Sequence, residues 1–209
     1  MVPAREALER LREGNRCFVE GGALATPVLS DARRLALAQA QRPFAVIVGC
    51  SDSRVPIELI FGQGFGDLFV IRVAGNIVAP SQVGSVEFAA MRFGTRLVVV
   101  LGHSECGAVA ATVDALRGPD GALSPGLRDI VDRIRPAVEP LLAAQPAPPE
   151  AELIADAVRA NVRTAAEHLR CGSAVLTSLI ARAELTVVGA EYDLRSGVVD
   201  FFDGVPSEP

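Results

Sequence analysis

The run Val46-Ile47-Val48-Gly49-Cys50-Ser51-Asp52-Ser53-Arg54-Val55-Pro56 joins an unbroken apolar segment to a series of chemically active side chains. Residues 44–48 are apolar throughout, as a strand covered on both faces requires, and such strands belong to parallel sheets. Gly49 ends the run, and Cys50, Asp52 and Arg54 follow on alternate positions. A second unit repeats the arrangement, with residues 96–101 leading into Gly102-His103-Ser104-Glu105-Cys106-Gly107. Two thiols, one imidazole and the carboxylate of Asp52 therefore stand just past the ends of two expected strands. In open α/β sheets, ligands bind in that position.

The flanking sequence supplies the helices that such a sheet needs. Residues 3–19 carry Leu8, Leu11, Phe18 and Val19 among charges at near-helical spacing, and Gly21-Gly22 ends them. Ser30-Asp31 is expected to cap a helix through Ala40, with Pro43 stopping it. Pro56 opens a short helix over 57–61, a glycine-punctuated loop follows through Gly66, and 68–73 forms a strand. Further helices are expected at 81–93, 106–117, 126–144, 150–170 and 173–182. The residues Gly118-Pro119-Asp120-Gly121 make a turn, and the proline-rich 145–149 separates two of the helices. Strands at 185–192 and 198–202 are joined by Asp193-Leu194-Arg195-Ser196-Gly197, a hairpin-type connection. The expected fold is α/β, with a mostly parallel sheet, an antiparallel C-terminal edge strand and helices on both faces. Residues 1–209 read as one domain, with a helical arm at 1–42 and a core at 43–209.

Composition narrows the class. Half of the 209 residues are hydrophobic, tryptophan is absent and tyrosine occurs once, which suits helices packed closely on a sheet. A formal net charge of -5 argues against nucleic acid or an anionic membrane surface as a partner. No apolar run has the length of a membrane span, and the charged, helix-like start does not read as a secretory signal. Four cysteines in a chain of this length do not suggest a disulfide framework, so a cytoplasmic protein with reduced thiols is expected.

Cys50, His103 and Cys106 make a Cys2His donor set for zinc, a metal that takes thiolate and imidazole readily and keeps one position open in catalytic sites. The spacing of His103 and Cys106 suits a turn entering a helix, with Cys50 arriving from a neighbouring strand end. Asp52 either fills the fourth position in a closed form or stands beside a water that does. Arg54 can hold Asp52 through a two-pronged ion pair. Other readings are weaker. The arginine that a cysteine phosphatase needs is replaced by Pro56 after Cys50 and by Thr112 after Cys106. Neither cysteine lies in a CxxC pair. Cys17 and Cys171 read as packing residues and His168 as a solvated one. The glycines around Gln63 precede a strand instead of opening a helix, against a nucleotide loop.

Cys50-Ser51-Asp52-Ser53-Arg54 with His103-x-x-Cys106 resembles the signature of the β-class carbonic anhydrases. The likeness extends through LIFGQGFGDLFVIRVAGN, GSVEFA, GHSECGAV and VGAEYDLRSGVVDF, nearly the whole chain. The resemblance implies zinc on Cys50, His103 and Cys106, and a catalytic dyad of Asp52 and Arg54. It also implies that Gln63 and Gly107 bind substrate, Gln63 from across a dimer interface. The implied activity is reversible hydration of CO2 to bicarbonate and a proton by zinc-bound hydroxide, zinc lowering the pKa of its water toward about 7. The implied assembly is a homodimer, often doubled to a tetramer, with the N-terminal helix packed on a partner subunit.

Two alternatives share this donor set. One is a zinc hydrolase of carbon disulfide or carbonyl sulfide, and the other a non-catalytic protein braced by zinc. Some β-class enzymes switch off when the dyad aspartate swings onto zinc, helped by bicarbonate in a pocket that resembles a tryptophan and an arginine. Arg72 matches the arginine, but Ile47 stands at the tryptophan position. The open form, with Asp52 paired to Arg54, is therefore expected at neutral pH.

Overall fold

Side chains of alternate parity along the strands feed two apolar layers, and that alternation organises the molecule. A computed structural model describes residues 1–21, 31–118, 123–144 and 149–207. Its sheet contains β1 (Ala45–Gly49), β2 (Leu68–Arg72), β3 (Leu97–His103), β4 (Thr186–Tyr192) and β5 (Val199–Asp203) in the order β2-β1-β3-β4-β5. The first four strands are parallel and β4–β5 is antiparallel, as the strand–helix alternation and the closing hairpin require. Ile47, Leu97, Val99 and Leu101 face one layer, and Val46, Val48, Val98 and Val100 face the other.

Eight helices accompany the strands among the described residues: α1 (Ala4–Val19), α2 (Asp31–Leu37), α3 (Ile57–Ile60), α4 (Pro80–Phe93), α5 (Gly107–Arg117), α6 (Pro125–Leu142), α7 (Glu150–Cys171) and α8 (Ala174–Ala181). Residues of α1 and α3 pack into the first layer, and those of α4, α7 and α8 into the second. A third cluster joins α5, α6 and α7 around Cys50 and Cys106, at the carboxyl ends of β1 and β3. No helix among the described residues is long and apolar enough to cross a membrane.

Three differences from the sequence reading stand out. Strand β3 continues past Leu101 to His103, because Gly102 and His103 pair with Glu191 and Tyr192 of β4. Helix α2 ends at Leu37, short of Ala40; its expected cap, Ser30, lies outside the described residues, as do 119–121 of the turn and 145–148 of the proline-rich stretch.

The third difference is the largest. Helix α1 packs its apolar stripe on its own chain: Ala7, Leu8 and Leu11 are buried with Phe44, Ile60 and Phe61. Gly14 lets the helix approach, since a Cβ there would land on the Phe61 carbonyl oxygen. Asn15, also buried, donates to the carbonyls of Ile60 (3.2 Å) and Gly197 (2.9 Å) and accepts from the Val199 N–H (2.8 Å). At the end of the stripe, Phe18 is half-buried against the same cluster and Val19 is exposed.

Candidate metal centre

Each donor sits where a strand gives way to a loop or a helix. Cys50 directly follows β1, His103 is the last residue of β3, and Cys106 is the N-cap of α5. Neighbouring strands in register bring the first two together, and a turn carries the third. Glu105 makes that turn possible by adopting the left-handed region, at φ 55°. Ser104 holds it to the rest of the sheet: its N–H donates to the Tyr192 carbonyl (3.0 Å), and its hydroxyl accepts from the Leu194 N–H (2.9 Å). Arg195 of the β4–β5 connection adds an ion pair to Glu105.

The three donors converge. One ligand atom each from Cys50, His103 and Cys106 lies within 4.8 Å of the others, and all three side chains are buried. The Nδ1 of His103 lies 2.9 Å from the Ser104 carbonyl oxygen. A carbonyl only accepts, so the proton sits on Nδ1 and Nε2 keeps its lone pair. That Nε2 is buried without a hydrogen-bond partner. Burying a polar atom this way is costly, and a metal ion among the sulfurs would satisfy it.

The thiols tell the same story. The neighbouring Cys106 holds the Cys50 thiol far below its ordinary value, to about 4, against the opposing effect of burial. Cys106 is pushed up, because the adjacent Cys50 and burial both disfavour a second negative charge there. Two contacting sulfurs in a buried site cannot both ionise by themselves. A divalent cation removes the conflict, so the donor set fits zinc.

Asp52 and Arg54 lie on the exposed side of this centre. Arg54 donates through Nε to Asp52 Oδ1 (3.0 Å) and through Nη2 to Oδ2 (2.8 Å), and its backbone N–H also meets Oδ1 (2.9 Å). The guanidinium holds the Asp52 carboxyl well below the usual carboxylate range. Asp52 Oδ2 is 3.8 Å from His103 Nε2. Arg54 also reaches the Glu105 carbonyl (3.3 Å), tying the two loops together.

The other residues singled out in the sequence fall differently. Gly107 opens α5, exposed beside Cys106, with open space where a side chain would be. Gln63 is buried away from solvent, donating to the Phe61 carbonyl (2.7 Å) and lying against Gly14 of α1. Arg72 is engaged with the loop backbone, donating to the carbonyls of Cys50 (3.0 Å) and Asp52 (2.7 Å). Cys17, Cys171 and His168 are not part of the cluster, and His168 and Cys171 are exposed.

Sequence reasoning missed Gly75, whose N–H donates to Cys50 Sγ at 3.3 Å, and the tethering role of Ser104. The Gly75-Asn76 pair at a strand end was the available signal for the first. For the second there was none, since its partners lie in the distant β4–β5 connection.

A family model described as carbonic anhydrase matches residues 45–199. A carbonic anhydrase of Mycolicibacterium smegmatis is 38% identical over 195 residues, covering 93% of this chain and 91% of the relative. Among solved structures, the β-carbonic anhydrase CafA of Aspergillus fumigatus superposes with a TM-score of 0.74 at 27% identity, over 96% of this chain and 91% of that one. One of two tetrameric β-carbonic anhydrases of Sordaria macrospora superposes with a TM-score of 0.69 at 27% identity, over 81% of this chain and 85% of that one.

Proposed function

From the premise that this chain belongs to the β class of the carbonic anhydrase family, we propose that it catalyses the reversible hydration of CO2 to bicarbonate and a proton. The observation that carries the reading is the buried, unpartnered Nε2 of His103 facing two sulfurs within 4.8 Å. Cys50, His103 and Cys106 would hold Zn2+. Bound there, zinc supplies the Lewis acidity that makes an oxygen nucleophile available near neutral pH.

The protein groups around the centre have distinct tasks. Asp52, kept ionised by Arg54, is a charged hydrogen-bond acceptor on the open side of the donor set, where it can take and orient a proton of the attacking water. Arg54 engages both oxygens of that carboxylate and so keeps Asp52 from turning onto the metal. This geometry favours an open catalytic site over a closed structural brace, which would need Asp52 as a permanent ligand. Gly107 stands at the N-terminus of α5, where the helix dipole favours the bicarbonate anion. Gln63 serves the site of a second copy, in a homodimer that can double to a tetramer.

A stopped-flow assay of CO2 hydration together with metal quantification tests the reading. The purified protein is expected to carry about one zinc per chain, and Cys106→Ala to lose metal and hydration together. Full zinc and full activity in that variant would sink the assignment. Turnover of carbon disulfide or carbonyl sulfide with none of CO2 would move the chemistry to the neighbouring hydrolase class.

A further inference from the structure

We propose that Asn161 is a positioning residue for the Cys50 sulfur, acting through Gly75; the inference rests on the metal assignment above. Asn161 lies on α7 between Val158 and Val162, in an otherwise apolar face, and is 2% exposed. An amide buried there is costly unless it is hydrogen-bonded, whereas an aliphatic side chain would carry no such cost. Its Nδ2 donates to the Gly75 carbonyl oxygen at 2.8 Å. The N–H of the same glycine donates to Cys50 Sγ at 3.3 Å. Gly75 is thus held on its carbonyl side by α7 and turned, on its amide side, toward the sulfur.

The segment needs such a hold. Gly75 has φ 68°, and a Cβ there would meet Ile134 Cδ1 at 2.7 Å and Ala108 Cβ at 3.1 Å. Its neighbour Asn76 has φ 44°, also in the left-handed region. Successive left-handed residues are a conformation that an L-amino-acid chain leaves readily. The Asn161 bond fixes the Gly75–Asn76 peptide, and with it the direction in which the preceding N–H points. Released from Asn161, that N–H no longer aims at the sulfur, and Cys50 loses a donor that orients its lone pairs.

The test measures metal affinity and ligand field instead of turnover. Apo protein is prepared under reducing conditions, zinc affinity is measured by chelator competition, and Co2+ is substituted to record the thiolate-to-cobalt charge-transfer band. Asn161→Ala and Asn161→Ser are expected to weaken zinc binding about 10-fold or more and to shift that band. The serine hydroxyl is too short to reach Gly75 and bonds back along its own helix, so this variant decides the matter if the alanine variant does not fold. Leu169→Ala, in the buried face of the same helix but outside the metal cluster, is expected to lower the melting temperature without either change. Wild-type zinc affinity and an unshifted cobalt band in the Asn161 variants would overturn the proposal. Equal changes in Leu169→Ala would reduce it to a general loss of stability and overturn it too. Wild-type protein that takes up neither metal would overturn the metal assignment itself, a failure seen before any variant is compared.

Discussion

Arg54 grips both oxygens of Asp52, yet half of its side chain is open to solvent. Ion pairs so exposed contribute little to stability, so the value of this pair lies in where it holds the carboxylate. Asp52→Asn is expected to keep its zinc and lose about 100-fold or more in CO2 hydration, the scale of deleting an oriented polar group from a reaction centre. Arg54→Ala should leave the melting temperature nearly unchanged but release Asp52, whose Oδ2 is already 3.8 Å from His103 Nε2. Zinc retained with a carboxylate oxygen in its X-ray absorption signature, and turnover lost, is the outcome expected. Wild-type turnover in Arg54→Ala would remove the arginine from the mechanism.

Helix α1 changes status once its neighbours are known. The stripe, which the sequence left without an assured partner in its own domain, has one: Ala7, Leu8 and Leu11 fill the layer beneath Phe44, Ile60 and Phe61 of the same chain. Leu11 is fully buried, so Leu11→Ala should cost about 2–5 kcal/mol. Chemical denaturation at two widely separated protein concentrations checks this. A loss that is the same at both places the contact within the subunit, and a loss seen only on dilution would return it to an interface. Removing residues 1–21 should for the same reason strip the core, giving aggregation instead of a clean monomer. The three hydrogen bonds of Asn15 to Ile60, Gly197 and Val199 carry the effect further. The β4–β5 connection that they hold is the one that grips Ser104 and Glu105 beside the metal donors.

Assembly decides whether one chain makes a complete site. Gln63 is turned to the Phe61 carbonyl and the α1 side of its own subunit, and its proposed task is performed on a second copy. Complementation separates action within the chain from action across the interface. Gln63→Ala and Cys106→Ala are each expected to be nearly inactive, the first with zinc and the second without. In an equal mixture allowed to exchange subunits, mixed two-fold dimers hold one intact zinc centre completed by one intact glutamine. Activity should then recover to about a quarter of wild type, as random pairing in a symmetric dimer dictates. A mixture no more active than its parts would place Gln63 at work within its own chain.

The sheet and the donor set were legible in the chain because both are encoded locally. Runs such as 44–48 and 97–101 are apolar at every position, which only a doubly covered strand tolerates. The chemistry of Cys50, His103 and Cys106 follows from residue type and from the strand ends that carry them. Strand ends were less legible: β3 gains His103 through its pairing with Tyr192, a contact with a distant part of the sequence. The side of the molecule that α1 covers could not be read either, because an amphipathic stripe specifies an apolar partner but not which one. The supports of the site lay furthest from view. Gly75 reaches Cys50 from the turn after β2, Asn161 reaches Gly75 from α7, and Ser104 is held by Leu194. Each is a directional hydrogen bond between segments remote in sequence, so no local pattern announces it until the chain has folded.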